Sequence, residues 1–476
     1  MDRRKKTIAF AFFVAIFLAA FEGVVVSAAA PVIVKSFQQF DMISWIFSMY
    51  LLTTAVSTPL YGKLADMYGR KKMLMIGISI FLTGSTLCGL SRGMEELIAF
   101  RCIQGLGAGS ILTICFTLIG DIFTLKERAV IQGGISTVWG IAGLVGPLLG
   151  GFLIDYVSWH WIFFINIPFG ILCLVILSTY VQEAERTGSH HIDYGGAVLL
   201  SVCISSLLYA IMTTPEATVY TYLCWLCAAG TAVLFYYQET RAAEPIVPVF
   251  ILSGKTLSIT VITFIASFIL ISNTVYIPLH MQTLMGYSAT VAGLSMVTIS
   301  VSWFGSSFFL ARYMQKFEAR KIVMAASGVL FFSSASLQLL PAQAPVWLVP
   351  VLMFPFGIGF SFTLNTLIFI VQDSVPYEQR GAAVGLNMLT RTIAQAVGVT
   401  LLGAVINSSS AAWLSVHAAV PMTMQDMYMP GISPDILAVL REALLFALHR
   451  VYAVSALAAV IAVVVSYFVP PYSKAE

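Results

Sequence analysis

The sequence predicts an all-α polytopic membrane protein with fourteen transmembrane helices. Three observations carry this: extreme apolarity, apolar runs of membrane-spanning length, and basic residues confined mostly to one side. Of the 476 residues, 59% are hydrophobic and only 10% are charged, against roughly 25% charged in soluble domains. A water-soluble globule is thereby excluded, and with it a nucleic-acid binder, a secreted enzyme and a disordered scaffold. Fourteen stretches of about 22 residues would occupy about 308 positions and leave only short connections. The net charge of +3 says little about partners, because in a membrane protein the distribution of Lys and Arg among loops matters more than their sum.

Hydrophobic runs broken by charge, Gly or Pro place helices at about 8–34, 43–62, 73–91, 97–120, 129–153, 161–181, 193–213, 219–238, 256–280, 289–310, 321–340, 346–371, 381–407 and 451–470. The first follows Arg3, Arg4, Lys5 and Lys6 and spans about 27 residues, too long for the core of a secretory signal, so it reads as an uncleaved helix. If the amino terminus is cytoplasmic, inside segments hold 19 of the 25 Lys and Arg, among them Lys63, Arg70, Lys71, Lys72, Lys126, Arg128, Arg320, Lys321 and Arg380. The outside holds Lys35, Arg92, Arg441 and Arg450. That asymmetry predicts an even helix count in the cell membrane with both termini cytoplasmic. Arg101 and Arg391 fall within helices. The sixth helix opens on an aromatic belt, Ser158-Trp159-His160-Trp161, of the kind that marks a membrane interface. The stretch at about 408–448 is too long for a turn, and Asp435 to Glu442, apolar on one side, reads as an amphipathic surface helix.

Shifting the chain by 252 residues superposes Gly105 on Gly357, Gly107 on Gly359, Asp121 on Asp373, Arg128 on Arg380, Gly133 on Gly385, Gly146 on Gly398 and Gly151 on Gly403. Such a register predicts two six-helix halves (1–185 and 251–476) around an inserted helix pair (186–250), with a site between the halves.

Between helices two and three runs Gly62-Lys-Leu-Ala-Asp66-Met-Tyr-Gly69-Arg70-Lys-Lys-Met. The glycines permit a tight turn, Asp66 suits a helix amino terminus, and Arg70 suits a carboxylate such as Asp121. Helix four carries Arg101-Cys-Ile-Gln104-Gly105-Leu-Gly107-Ala-Gly109. An intramembrane Arg is expensive unless paired or hydrated, so Arg101 should face the bundle interior; snorkelling to the nearby helix end is the alternative. Helix five carries Gly140-Ile-Ala-Gly143-Leu-Val-Gly146-Pro147-Leu-Leu-Gly150-Gly151, a smooth, bendable face for close helix packing. Helix one holds Phe21-Glu22-Gly-Val-Val-Val-Ser-Ala-Ala-Ala-Pro31, with Glu22 the only carboxylate well inside an expected span.

These four segments resemble the major facilitator superfamily, and within it the fourteen-helix drug/proton antiporters of multidrug efflux. The resemblance runs from Glu22 to Gly403 and implies the major facilitator fold, with fourteen helices as six, two and six. It implies a secondary active exporter that exchanges lipophilic, cationic compounds for protons by alternating access. Glu22, where Asp is more usual in the family, and Arg101 are then the proton-coupling residues. Gly62, Asp66, Gly69, Arg70 and Asp121 form a conformational latch, and Gly146, Pro147, Gly150 and Gly151 form the antiporter motif. The second-half copy of the loop, Ala311 to Lys321, keeps its basic end and loses the Asp.

An ionised carboxylate inside a span is costly when unpaired, so proton and cation would compete for Glu22; a structural Glu22, hydrogen-bonded across helices, is the alternative. Tyr50, Trp139, Asn273, Tyr276, Asn365 and Asn387 are candidate substrate contacts, being aromatic or amide groups placed to reach a central cavity. The alternative cargo is an amphipathic lipid or an anionic metabolite, exported or flipped. No enzyme activity is expected, since HExxH is absent. No cofactor and no metal are implied; Cys224 and Cys227 form a CxxC inside an apolar run and read as small hydrophobes. The expected partners are drug-like small molecules, protons and membrane lipid, with no nucleic acid, and the chain is expected to be a monomer.

Overall fold

The computed structural model describes residues 1–182, 193–214, 218–242, 255–375, 380–418, 420–429 and 431–470. Its α-helices are α1 Arg3–Phe37, α2 Ile43–Tyr68, α3 Arg70–Leu90, α4 Met94–Ile122, α5 Leu125–Tyr156, α6 Trp161–Phe164, α7 Asn166–Tyr180, α8 Tyr194–Thr213, α9 Val219–Arg241, α10 Lys255–Leu279, α11 Ala289–Lys316, α12 Ala319–Leu337, α13 Leu348–Asp373, α14 Arg380–His417 and α15 Pro434–Ser466. Among the described residues, 13 helical segments are long and apolar enough to cross a membrane. The remaining expected span is α12, which is 19 residues long but carries Arg320 and Lys321 in its first turn.

Six helices, α1, α2, α5, α11, α14 and α15, overrun their expected bounds by a turn or more at one end, and several helix starts are capped. Thr124 and Glu127 form a capping box at the start of α5, and Asp2, Asp193 and Ser288 accept from backbone amides at the starts of α1, α8 and α11. The sixth span runs from α6 into α7 through Ile165, which keeps right-handed helical angles and donates its N–H to the Trp161 carbonyl at 3.0 Å. One expectation needs correction. The expected surface helix is absent as a separate element: α14 runs on to His417, a short 3-10 turn covers Met424–Tyr428, and Ser433 caps α15 one residue before Pro434. Asp435 to Glu442 therefore opens the last spanning helix, whose apolar side is buried at Leu440, Ala443 and Leu444.

Within the first six spans, α4 packs against α2 and α3, and α1 against α5 and α7; the last six repeat this with α13 on α11 and α12, and α10 on α14. The α8/α9 hairpin lies against α14 and α2. The two sets of six meet where α5 crosses α11 and α2 crosses α14.

Glycines in equivalent positions show which end of the bundle is joined. Gly133 and Gly151 stand 18 residues apart on α5, as do Gly385 and Gly403 on α14, and 18 residues are five turns, so each pair lies on one helix face. A side-chain carbon at Gly151 would collide with Thr290 of α11, and one at Gly403 with Ser44 of α2. At Gly133 and Gly385 it would meet nothing within 4 Å among the described residues. The halves thus touch near Gly151 and Gly403 and part toward Gly133 and Gly385.

Hydrogen bonds agree. Asp155, at the end of α5, accepts from the backbone N–H groups of Ala289 and Thr290 at 3.1 and 2.8 Å and from the Thr290 hydroxyl at 2.5 Å. Gln282 donates to the Ala28 carbonyl at 2.9 Å, and Asn407 donates to the Asp41 carbonyl at 3.1 Å. A carboxylate across the amino terminus of α11 is favoured by the helix dipole, so Asp155 acts as a clasp between halves.

Candidate functional site

Toward the joined end, α1, α3, α4 and α7 bring a polar cluster into the apolar interior. Arg101 Nη1 pairs with Glu22 Oε1 and donates to Gln104 Oε1 at 2.6 Å, while Arg101 Nε donates to the Ile46 carbonyl at 3.1 Å. Asn166 Nδ2 donates to Glu22 Oε2 at 2.9 Å and to the Ser85 hydroxyl at 3.0 Å. Ser85 in turn donates to the Phe163 carbonyl at 2.8 Å. Tyr50 lies 4.1 Å under the guanidinium, a cation–π contact. Glu22 is 0% exposed and Arg101 1%, so Arg101 does not snorkel to the membrane surface.

Helix geometry explains the assembly. Arg101 and Gln104 are three residues apart on α4 and share a face. Asn166, the first residue of α7, reaches Glu22 through the packing of α7 against α1. The pair is electrically neutral as a unit. Both Glu22 oxygens, Arg101 Nε and Arg101 Nη1 are engaged; Arg101 Nη2 has no hydrogen bond, and the neighbouring Asn166 Oδ1 is buried with no donor, among the described residues. Sequence reasoning assigned Glu22 and Arg101 and gave Gln104, Ser85 and Asn166 no role. The signal for Asn166 was a lone amide in an apolar run.

The loop after α2 also forms a cluster. Arg70 Nη2 and Nε donate to Asp66 Oδ1 at 2.9 and 3.2 Å, and Arg70 Nη1 pairs with Asp121. Among the described residues Asp66 therefore pairs with Arg70, the first residue of α3. Gly69 holds φ at 103°, a backbone region open to glycine and strained for other residues, and this turn aims Arg70 back at Asp66. Gly62 lies 3.7 Å from Thr113 by its missing side chain. All these partners belong to α2, α3 and α4, at the parted end.

The glycine-rich face of α5 splits between two neighbours. Gly146 and Gly150 admit Val24 and Val25 of α1, Gly151 admits Ala289 and Thr290 of α11, and the Pro147 carbonyl abuts Gly293 of α11. Of the candidate substrate contacts, Trp139 is exposed and Asn365 partly so. Tyr50 is buried against Arg101, Tyr276 is buried with its hydroxyl donating to the Val399 carbonyl at 3.0 Å, and Asn387 is buried and donates to Thr263 at 3.0 Å. Asn273 is buried with neither amide atom bonded among the described residues. Among the described residues no hydrogen bond or ring contact links any two of these six. Glu239 and Asp155 also prove to be helical, so Glu22 is distinguished by its depth and ion pair and not by being the sole helical carboxylate.

A multi-pass bundle of apolar helices in two similar sets, sealed at one end and parted at the other around a buried ion pair, defines a membrane transport protein rather than an enzyme. The chain belongs to the Major Facilitator Superfamily, whose family model matches residues 12–399. Multidrug resistance protein 3 of Bacillus subtilis is 33% identical over 400 residues, covering 82% of this chain and 77% of that protein. Multidrug efflux pump SdrM of Staphylococcus aureus is 28% identical, covering 81% and 86%. Among solved structures, a bacterial homolog of the human lysosomal transporter Spinster, in an inward-facing and occupied conformation, aligns over 100% of both chains with a TM-score of 0.72 at 15% identity. A D-xylose–proton symporter aligns over 98% of each chain with a TM-score of 0.68 at 15% identity. At such identities these structures establish the fold alone.

Proposed function

We propose that the protein is a multidrug exporter that exchanges lipophilic cations for protons, with Glu22 as the proton carrier. The reading draws on the relatives named for multidrug resistance and efflux, and one observation carries its mechanism: the buried Glu22–Arg101 pair with Asn166 on the second carboxylate oxygen. Two halves, 1–185 and 251–476, rock about this region, and 186–250 is an appended pair. Both termini are cytoplasmic, which makes the parted end, with Arg70, Gly133 and Gly385, the cytoplasmic one.

The chemistry follows from charge balance. A proton on Glu22 turns a neutral pair into a stranded cation, and breaking one side of a buried pair costs about 3–5 kcal/mol. The protonated state therefore favours any conformation in which Arg101 gains water. A lipophilic cation entering the cleft adds a second positive charge; at about 6 Å and an effective dielectric of about 20 it repels Arg101 by about 3 kcal/mol. Ionised Glu22 offsets that repulsion and protonated Glu22 does not, so proton and cation exclude each other. Asn166 serves both states: its N–H group donates to the carboxylate, and a flipped amide presents Oδ1 to the carboxylic acid.

The test is proton movement across sealed vesicles when a lipophilic cation is added, in wild type and in Glu22→Gln. A cation-triggered flux that vanishes in the variant is expected. Flux that persists would move the proton site off Glu22, and no flux in either protein across a broad panel would sink drug/proton exchange.

A further inference from the structure

A second cation lies inside a span with nothing to balance it. Arg391 sits on α14 about 12 Å beyond Ala383, the first residue of the spanning segment, at 1.5 Å per residue. Among the described residues its guanidinium has no ion pair, hydrogen bond or ring contact. Glu22, Asp66, Asp121 and Asp155 are engaged elsewhere: Glu22 with Arg101, Asp66 and Asp121 with Arg70, Asp155 with α11.

The faces of α14 show where Arg391 stands. Asn387 and Gly398 meet Thr263, Phe268 and Ile271 of α10, whereas Thr400 and Gly403 meet Ser48 and Ser44 of α2, from the other half. At 100° per residue, Arg391, Gln395, Met388 and Thr392 fill the arc between those two contacts. All four are partly exposed, and Gly385, exposed on the same side, has open space beside it. The arc therefore faces the cleft between the halves on its parted side. Gln395, one turn from Arg391, also has no hydrogen bond among the described residues. A forked guanidinium and an unused amide about 6 Å apart along one helix face match the oxygens of a carboxylate, sulfonate or phosphate.

We propose that Arg391 and Gln395 bind an anionic group in the cleft, delivered by an acidic or zwitterionic cargo or by a lipid headgroup. This rests on the exporter reading and widens its cargo beyond simple cations. An intramembrane cation without a partner costs several kcal/mol, and an incoming anion removes that cost on arrival. Glu22 and Arg391 then divide the labour: Glu22 discriminates by positive charge, and Arg391 holds the negative group.

Binding of rhodamine B, which carries a free carboxylate, and of its cationic ethyl ester to the purified full chain tests the site. Arg391→Gln should weaken rhodamine B by about tenfold or more and the ester by less than about twofold. Arg391→Lys should retain part of the acid's affinity, and Gln395→Leu should lose less than Arg391→Gln. Because no protein partner is lost, the melting temperature of Arg391→Gln should be unchanged or raised, which guards against misfolding as the cause. Dansyl phosphatidylglycerol separates the sources: Arg391-dependent binding of the lipid that displaces rhodamine B supports a headgroup, and its absence beside Arg391-dependent dye binding supports cargo. Loss of both dyes alike, or of neither anion, overturns the site. Absence of proton flux in wild type across the broad panel of lipophilic cations would instead sink the exporter reading and leave these binding results standing.

Discussion

Neutralising one member of the Glu22–Arg101 pair should destabilise the protein more than neutralising both. Arg101→Gln strips the buried carboxylate of its cation and removes the donors to the Ile46 carbonyl and Gln104, a loss of about 3–5 kcal/mol for one broken side of a buried pair. Glu22→Gln keeps the shape and an acceptor for Arg101, so its cost comes from the stranded cation and lies near 3 kcal/mol, the lower end of that range. The double variant buries no charge. Its expected cost is that of imperfect hydrogen bonding, about 1–3 kcal/mol, which makes it more stable than Arg101→Gln and no less stable than Glu22→Gln. Denaturant unfolding in one detergent, run on all four proteins, measures the coupling, and proton flux is read in parallel. Stability should return in the double variant while flux stays absent, because the titrating carboxyl is gone. Losses that add to within about 0.5 kcal/mol, the behaviour of independent sites, would refute the pair as a coupled unit.

Three further outcomes follow from the contacts between and within the halves. Asp155→Asn keeps the shape but weakens three hydrogen bonds to α11; bonds to a charged group contribute about 1.5–3 kcal/mol, so a cysteine placed at Ser44, buried beneath Gly403, should react with a maleimide about tenfold faster in the variant. Unchanged labelling would mean that Asp155 is no clasp. Gly151→Val would drive a side chain into the Thr290 backbone, and the joined end should stay open, giving fast labelling at that cysteine with transport abolished. The Lys5 hydrogen bond, the first of several causes, pulls the Glu127 carboxyl down to about 2 from an ordinary value of 4.5. Because that value is depressed in the folded state, its contribution is complete above about pH 4.5 and fades as pH falls toward 2. The stability gap between wild type and Lys5→Gln should be constant near neutrality and should close through that window; a gap that stays constant to pH 2 would contradict the assignment.

Composition and run length determine the helical, membrane-spanning character because burying a backbone in lipid leaves few choices: every N–H and C=O must bond within its own helix. Glu22 and Arg101 stood out for the same reason, since a charge in an apolar run is too costly to be incidental. The loop charges of Arg70 and Asp121 and the glycines of α5 were legible as local patterns. Partners were another matter. Asn166 enters the Glu22 cluster only through the packing of α7 against α1, Ser85 only through the packing of α3 against α4, and Asp155 only because α5 ends opposite the first turn of α11. Tyr276 has an aromatic ring suited to a cavity, yet its hydroxyl ties α10 to α14. Hydropathy periodicity records which residues tolerate lipid or burial, while the neighbours of a helix face depend on how distant segments cross. Sequence alone therefore determined the class of protein and its costly charges; the tertiary structure decided which charges are paired, which end of the bundle is joined, and that Arg391 has no partner among the described residues, because each is a relation between helices that no single helix encodes.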